Sequence, residues 1–206
     1  MYADHADVAR LAPRFTLYGG PDSRDRVWII TLGVAARQHL TVDAACNAVW
    51  EIADFKWTPT RDFLVSCIQD MVRNGGLALV GETGGGDLLA TTLKGRKTLR
   101  HLLAAPLDGT GGMANQFAIS LKLAFLDLLP PADRPVLVDA LISVHERDLN
   151  RRKADLRLLW VGPHGREWLD REGERLQRDL GRLRKIRAAL GCGRACPGCS
   201  CAPTRH

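Results

Sequence analysis

The 206-residue sequence contains no long apolar run. Nowhere do the roughly 18 uncharged apolar residues needed to cross a bilayer follow one another, so no membrane partner is expected. The opening, MYADHADVARLAPRF, carries Asp4 and Asp7 early and lacks the apolar segment of a secretory leader, which makes the cytoplasm the expected location. Catalytic signatures are missing too. Gly84 to Gly86 are followed by no Gly-Lys-Ser/Thr, so they form no P-loop, and no G-x-G-x-x-G enters a helix after a strand. His39, His101, His145 and His164 are scattered, with neither an HExxH pair nor a nucleophile elbow. His145, beside Glu146 and Asp148, reads as a surface group. No catalytic residue is assigned, and an enzyme is not expected.

Six cysteines are present, yet they do not suggest a disulfide scaffold. Cys46 and Cys67 fall inside apolar helical patterns, and the other four crowd into the tail GCGRACPGCSCAPTRH. Within it, Cys196-Pro197-Gly198-Cys199 has the two-residue spacing that lets two thiolates share one metal. Cys192, Cys201 or His206 could complete a zinc site, and an iron-sulfur cluster or a thiol switch is chemically open. The other reading is a reduced tail without a site, since the second paired knuckle of a strong zinc motif is missing.

The net charge of +6 invites a nucleic-acid reading, but its distribution matters more than its size. Residues 1–112 hold 12 basic and 12 acidic side chains, residues 113–144 hold 2 and 3, and residues 145–206 hold 15 and 8. The surplus is C-terminal, so DNA binding by the N-terminal half must rest on local pattern.

What is present is an ordinary globular composition, 46% hydrophobic and 25% charged. Ser23 to His39 predicts a first helix through Val27, Ile30 and Val34, and TVDAACNAVWEIADF a second, capped by Thr41. TPTRDFLVSCIQDMVRNGG predicts a third, with Thr58 as cap, Pro59 in the first turn and Gly75-Gly76 as stop. Leu77 to Val80 and Leu88 to Thr92 are of strand length around the turn TGGGD, and LKGRKTLRHLLA resumes helical spacing. Three helices, a hairpin and a helix are the winged helix-turn-helix order.

APLDGTGG, residues 105–112, predicts a linker. Beyond it a stripe of Phe117, Leu121, Ala124, Phe125 and Leu128 runs to Pro130-Pro131, and a helix is expected from about Asp133 toward Trp160. GPHG then interrupts the pattern before a last helix from Arg166 to Leu190. There Leu169, Leu176, Leu183 and Leu190 recur every seven residues and Leu180 joins the seam. The spacing favours self-association over burial within one chain.

The expected architecture is therefore mainly α with a small β-hairpin. It comprises an extension (1–22), a winged helix-turn-helix domain (23–104), a linker (105–112), a helical dimerisation and effector domain (113–190) and a cysteine-rich tail (191–206). Trp57, Phe117, Trp160 and Trp168 are candidates to line an effector pocket.

MVRNGGLALV running into the hairpin, TTLKGRKTLRHLL leaving it, LKLAFLDLLPPADRPVLVDALI and REWLDRE together resemble the PadR-like transcriptional regulators, over about residues 24–190. The resemblance implies a homodimeric, cytoplasmic DNA-binding repressor that responds to a small-molecule effector. On the third helix, Ser66, Gln69 and Arg73 share a polar face with Asp62, and Thr60 and Arg61 stand at its start. Gln reads adenine, and Arg reaches guanine or phosphate. Lys94, Arg96, Lys97 and Arg100 form the densest cationic group of the N-terminal half and are the candidates for phosphate anchoring on double-stranded DNA. The hairpin tip ETGGGD carries neither the arginine nor the lysine often found there in the family. The rival function is a winged-helix adaptor, or a metal or redox sensor, acting through protein contacts and the cysteine tail.

Overall fold

The computed structural model describes residues 23–53, 57–84, 86–107, 113–155 and 162–192. The chain divides into two compact units, Met1–Leu129 and Pro130–His206. In the first, α1 (Ser23–Ala35) is the central helix: Val27, Ile29, Ile30, Leu32 and Ala35 are buried on several sides. A helix apolar nearly all round must be covered all round. The cover comes from α2 (Val42–Ala53), α3 (Arg61–Arg73), α4 (Leu93–Ala104), α5 (Met113–Ala124) and the hairpin of β1 (Leu77–Thr83) and β2 (Gly86–Thr91). The expected helix-helix-helix-hairpin-helix order is present, and the fold is mainly α with one antiparallel hairpin.

Several boundaries differ from expectation. α1 stops at Ala35 rather than His39, because Leu40 leaves helical geometry to exchange two backbone bonds with Leu89 (3.2 and 2.9 Å), giving the hairpin a third, one-residue strand. Thr41 caps α2 as expected, its Oγ1 accepting from Ala44 N at 3.3 Å. α3 is capped by Thr60 rather than Thr58. Thr60 is extended (φ −68°, ψ 152°), with Oγ1 facing Phe63 N at 3.4 Å, and Pro59 stays outside the helix, its carbonyl accepting from Trp50 Nε1 at 3.0 Å.

The end of α3 sets the direction of the wing. Gly75 has φ +67°; its N–H bonds Val72 O at 2.9 Å, and the Gly76 N–H bonds Met71 O at 2.8 Å. These are the paired bonds of a Schellman stop, which needs a residue tolerant of left-handed backbone. Thr92, the cap of α4, closes the other side of the junction. Its N–H bonds Gly76 O at 3.1 Å, its hydroxyl lies 2.6 Å from Gly75 O, and its Oγ1 accepts from Gly95 N at 3.0 Å. Gly95 lies so close to the Gly76 carbonyl oxygen that any Cβ there would collide with it.

α5 belongs to this first unit. The first unit extends past the expected linker, of which residues 108–112 lie outside the described residues, and ends at Leu129. Three contacts hold α5 and the short 3₁₀ turn Leu126–Leu128. Phe125 sits against Gly33, where a Cβ would come within 2.5 Å of the ring. Arg37 donates to Ala124 O (2.9 Å) and Asp127 Oδ1 (2.6 Å) with its guanidinium 5.2 Å from the Phe125 ring centre. Lys122, 1% exposed, directs its ammonium at the last carbonyls of α4 and the residue after: Leu102 O at 3.2 Å, Leu103 O at 2.5 Å and Ala105 O at 2.8 Å. A cation here satisfies orphan carbonyls and suits the negative end of the helix dipole.

The second unit is an antiparallel helix pair, α6 (Asp133–Asp155) and α7 (Pro163–Cys192). α7 begins at Pro163, so GPHG starts the helix instead of interrupting before it; proline is favoured in a first turn because its missing N–H would have no partner there. Leu137, Val138, Leu141 and Val144 of α6 and Leu169, Leu176, Leu180 and Leu183 of α7 are buried. Arg187–Asp139 (2.7 Å) and Arg184–Glu146 (2.9 Å) fix the register. His145, expected at the surface, is buried with Nδ1 3.0 Å from Leu141 O.

Two outcomes check this packing. Gly95→Ala is expected to cost about 3 kcal/mol in urea unfolding, since backbone rather than a movable side chain opposes the new methyl; an unchanged midpoint would refute the close approach. Burial pushes the Lys122 ammonium down to about 8 from 10.5. Between those values the unfolded chain keeps a proton that the folded chain has lost, so stability from this group rises with pH through that window. The stability difference between the natural protein and Lys122→Met is therefore expected to shift in favour of lysine between about pH 7.5 and about pH 10, by an amount on the order of 1–3 kcal/mol. Parallel pH profiles would contradict it.

Candidate nucleic-acid interface

α3 buries Leu64, Cys67, Ile68 and Met71 against the core, which leaves Asp62, Ser66, Gln69 and Arg73 exposed together. The polar face expected from the sequence is thus the outer face of the third helix. The arginines at and beside this face are already engaged. Arg61 pairs with Asp43 at the start of α2 (2.5 Å), tying the two helices. Arg73 pairs with Asp70 (2.5 Å), and Asp70 also pairs with Arg24 of α1. Thr60 spends its hydroxyl on the cap. Ser66 and Gln69 are the neutral, hydrogen-bonding side chains of this face.

The cationic group lies on α4. Lys94, Arg96, Lys97 and Arg100 are all exposed, and among the described residues no ion pair engages the first three. The Lys94 stem runs beside Gly75, which places the start of this group at the C-terminal end of α3 and the base of the wing. The wing has the opposite sign. Its charged side chains are Glu82 and Asp87, which stand directly opposite each other in the strand register next to the tip. Leu79 and Val80, at the one irregularity in that register, are exposed apolar residues on the same hairpin.

The candidate effector residues separate. Trp57 and Phe117 are brought together by Arg26, whose guanidinium lies 5.9 and 5.6 Å from their ring centres. Trp168 belongs to the second unit, where it is exposed beneath Arg152 at 5.5 Å. Trp160 lies outside the described residues. Leu169, Leu176, Leu180 and Leu183 face an intrachain partner, α6, instead of being left free for a second copy, and Leu190 is half-buried. The heptad spacing is met because α6 supplies the second strand of the seam. Cys196, Cys199 and Cys201 lie outside the described residues, as does the side chain of Cys192. Cys46 and Cys67 are buried thiols that form no disulfide among the described residues, and burial pushes the Cys46 thiol up.

Sequence reasoning missed Lys122, Arg37 and Arg26. Lys122 and Arg37 do structural work; the available signal was a lysine inside an otherwise apolar phrase, LKLAFL.

A model of the family described as "Putative AphA-like transcriptional regulator" matches residues 20–187. The chain belongs to this AphA-like family. That family is one of transcriptional regulators, the class that the sequence resemblance implies, and not of enzymes. A comparison with curated proteins gave no match. Among solved structures the AphA-like chain is similar to Bacillus subtilis PadR in complex with operator DNA, at 15% identity and a TM-score of 0.36, covering 80% of this chain and 98% of that one. It is also similar to the same protein in complex with p-coumaric acid (14%, 0.38, 82% and 98%) and to a PadR-like regulator from Bacillus cereus (13%, 0.35, 81% and 99%). Among the described residues of this family member, no helix is long and apolar enough to cross a membrane.

Proposed function

We propose that the protein is a cytoplasmic, homodimeric repressor whose winged-helix unit binds double-stranded DNA through the outer face of α3 and the cations of α4. The observation that carries this reading is the arrangement at the end of α3. Gln69 and Ser66, neutral and exposed, offer base-reading groups, while Lys94, Arg96 and Lys97 stand exposed on the adjoining helix and, among the described residues, outside any ion pair. Phosphate contacts supply affinity and base contacts supply sequence choice, so a working surface needs both kinds side by side. Arg61 and Arg73 serve as positioning groups in this reading, since their carboxylate partners orient them before any duplex arrives.

Val136 and Trp168, the exposed large apolar side chains of the second unit, mark the surface a second copy would cover. Arg26 with Trp57 and Phe117 supplies a cation flanked by rings, suited to an anionic aromatic effector. A second reading, an adaptor working through protein contacts, is favoured by the acidic wing. The two readings part on one measurement. Replacing Lys94, Arg96 and Lys97 together with alanine is expected to weaken binding to duplex selected from genomic fragments and to flatten its dependence on log salt by about 0.9 for each phosphate that is no longer neutralised. Unchanged slopes would remove α4 from the interface.

A further inference from the structure

The hairpin separates charge along its length. From Leu77 to Thr83 there are six steps, so the tip stands about 20 Å from the junction where Lys94 begins the cationic group. At the junction end the charge is positive, and at the tip end it is negative. Glu82 and Asp87 are register partners, both exposed, and among the described residues no ion pair engages either. Like charges placed directly opposite each other destabilise an antiparallel pair. A hairpin needs only glycine at its tip to turn, so turn geometry gives no reason for the carboxylates.

We infer that Glu82 and Asp87 limit phosphate-driven affinity: they repel the phosphates of a duplex lying against α3 and α4, so that a complex without base contacts from the helix is too weak to persist. The inference rests on the DNA-binding reading above. Its physical basis is simple. Non-specific affinity comes almost wholly from cations replacing counterions at phosphate, and each carboxylate near the backbone acts against that exchange. A duplex is about as wide as the wing is long, so a helix seated at the junction brings its flanking phosphates toward the tip. Specific binding suffers the same repulsion but adds hydrogen bonds to bases, so the ratio between the two is unchanged while both affinities fall, and the complex without base contacts is the first to be lost.

The test uses the full chain and two duplexes, one selected for tight binding and one of random sequence, titrated by fluorescence anisotropy from about 0.01 M salt, where the Debye length is about 30 Å, upward. Glu82→Gln with Asp87→Asn is expected to bind the random duplex about tenfold more tightly at the low-salt end. Its salt dependence should steepen by about 1–2 in log–log slope, and its affinity for the selected duplex should rise by the same factor, leaving the preference between the two unchanged. Both side chains are exposed, so unfolding midpoints should be unchanged or slightly raised by relief of the like-charge pair. If the natural protein binds duplex and the variant binds both duplexes with the same affinities and slopes, the inference is overturned and DNA binding stands. If neither protein binds either duplex at the lowest salt, the DNA-binding reading itself falls.

Discussion

The head of this protein is organised around a place where two backbones nearly touch. Gly95 can lie against the Gly76 carbonyl because Gly95 has no side chain, and Thr92 spans the gap with its amide and hydroxyl. One junction thereby fixes three directions: where α3 ends, where the wing departs and where α4 begins. A methyl group at Gly95 would force α4 away from the end of α3, and Lys94 would move with it. The position of the cations relative to the outer face of α3 is thus a consequence of one missing Cβ atom, that of Gly95.

Around this junction the unit is assembled by interactions that each satisfy backbone groups left over at helix ends. The Schellman stop serves the end of α3, Thr60 and Thr92 serve the starts of α3 and α4, Lys122 serves the end of α4, and Arg37 serves the end of α5. Such groups cost free energy if buried without partners. The ammonium of Lys122 is costly to bury, as its depressed proton affinity shows, but it answers three carbonyls at once. The result is a head in which the acidic tip of the wing and the cations at its base are held apart.

Local rules made much of this legible. The order of helices and hairpin followed from apolar spacing, the α3 stop from Asn74-Gly75-Gly76, and the phrase Thr92-Leu93-Lys94-Gly95-Arg96 pointed both to the family and to the junction. The outer face of α3 was correct to the residue. What escaped was long-range. Leu40 joins the hairpin only because Leu89 arrives beside it, forty-nine residues later. Phe125 and Lys122 attach α5 to the head through partners on α1 and α4, so a glycine-rich stretch before α5 looked like the boundary when the division falls at Leu129 and Pro130. The leucine heptad was visible, but spacing alone does not say which helix answers it; the antiparallel neighbour α6 does. Thr58 was the expected cap, but the Pro59 carbonyl is taken by Trp50 and the helix starts after Thr60 instead.

The central claim is that the third helix, held by its junction with α4, is the face presented to DNA. Amide hydrogen exchange of the full chain, followed by mass spectrometry with and without a bound duplex, tests it most directly. Slowed exchange is predicted in peptides covering α3 and the first turn of α4, against little change in α6. Exchange in α3 that is indifferent to a saturating duplex, with protection appearing only elsewhere, would contradict the account.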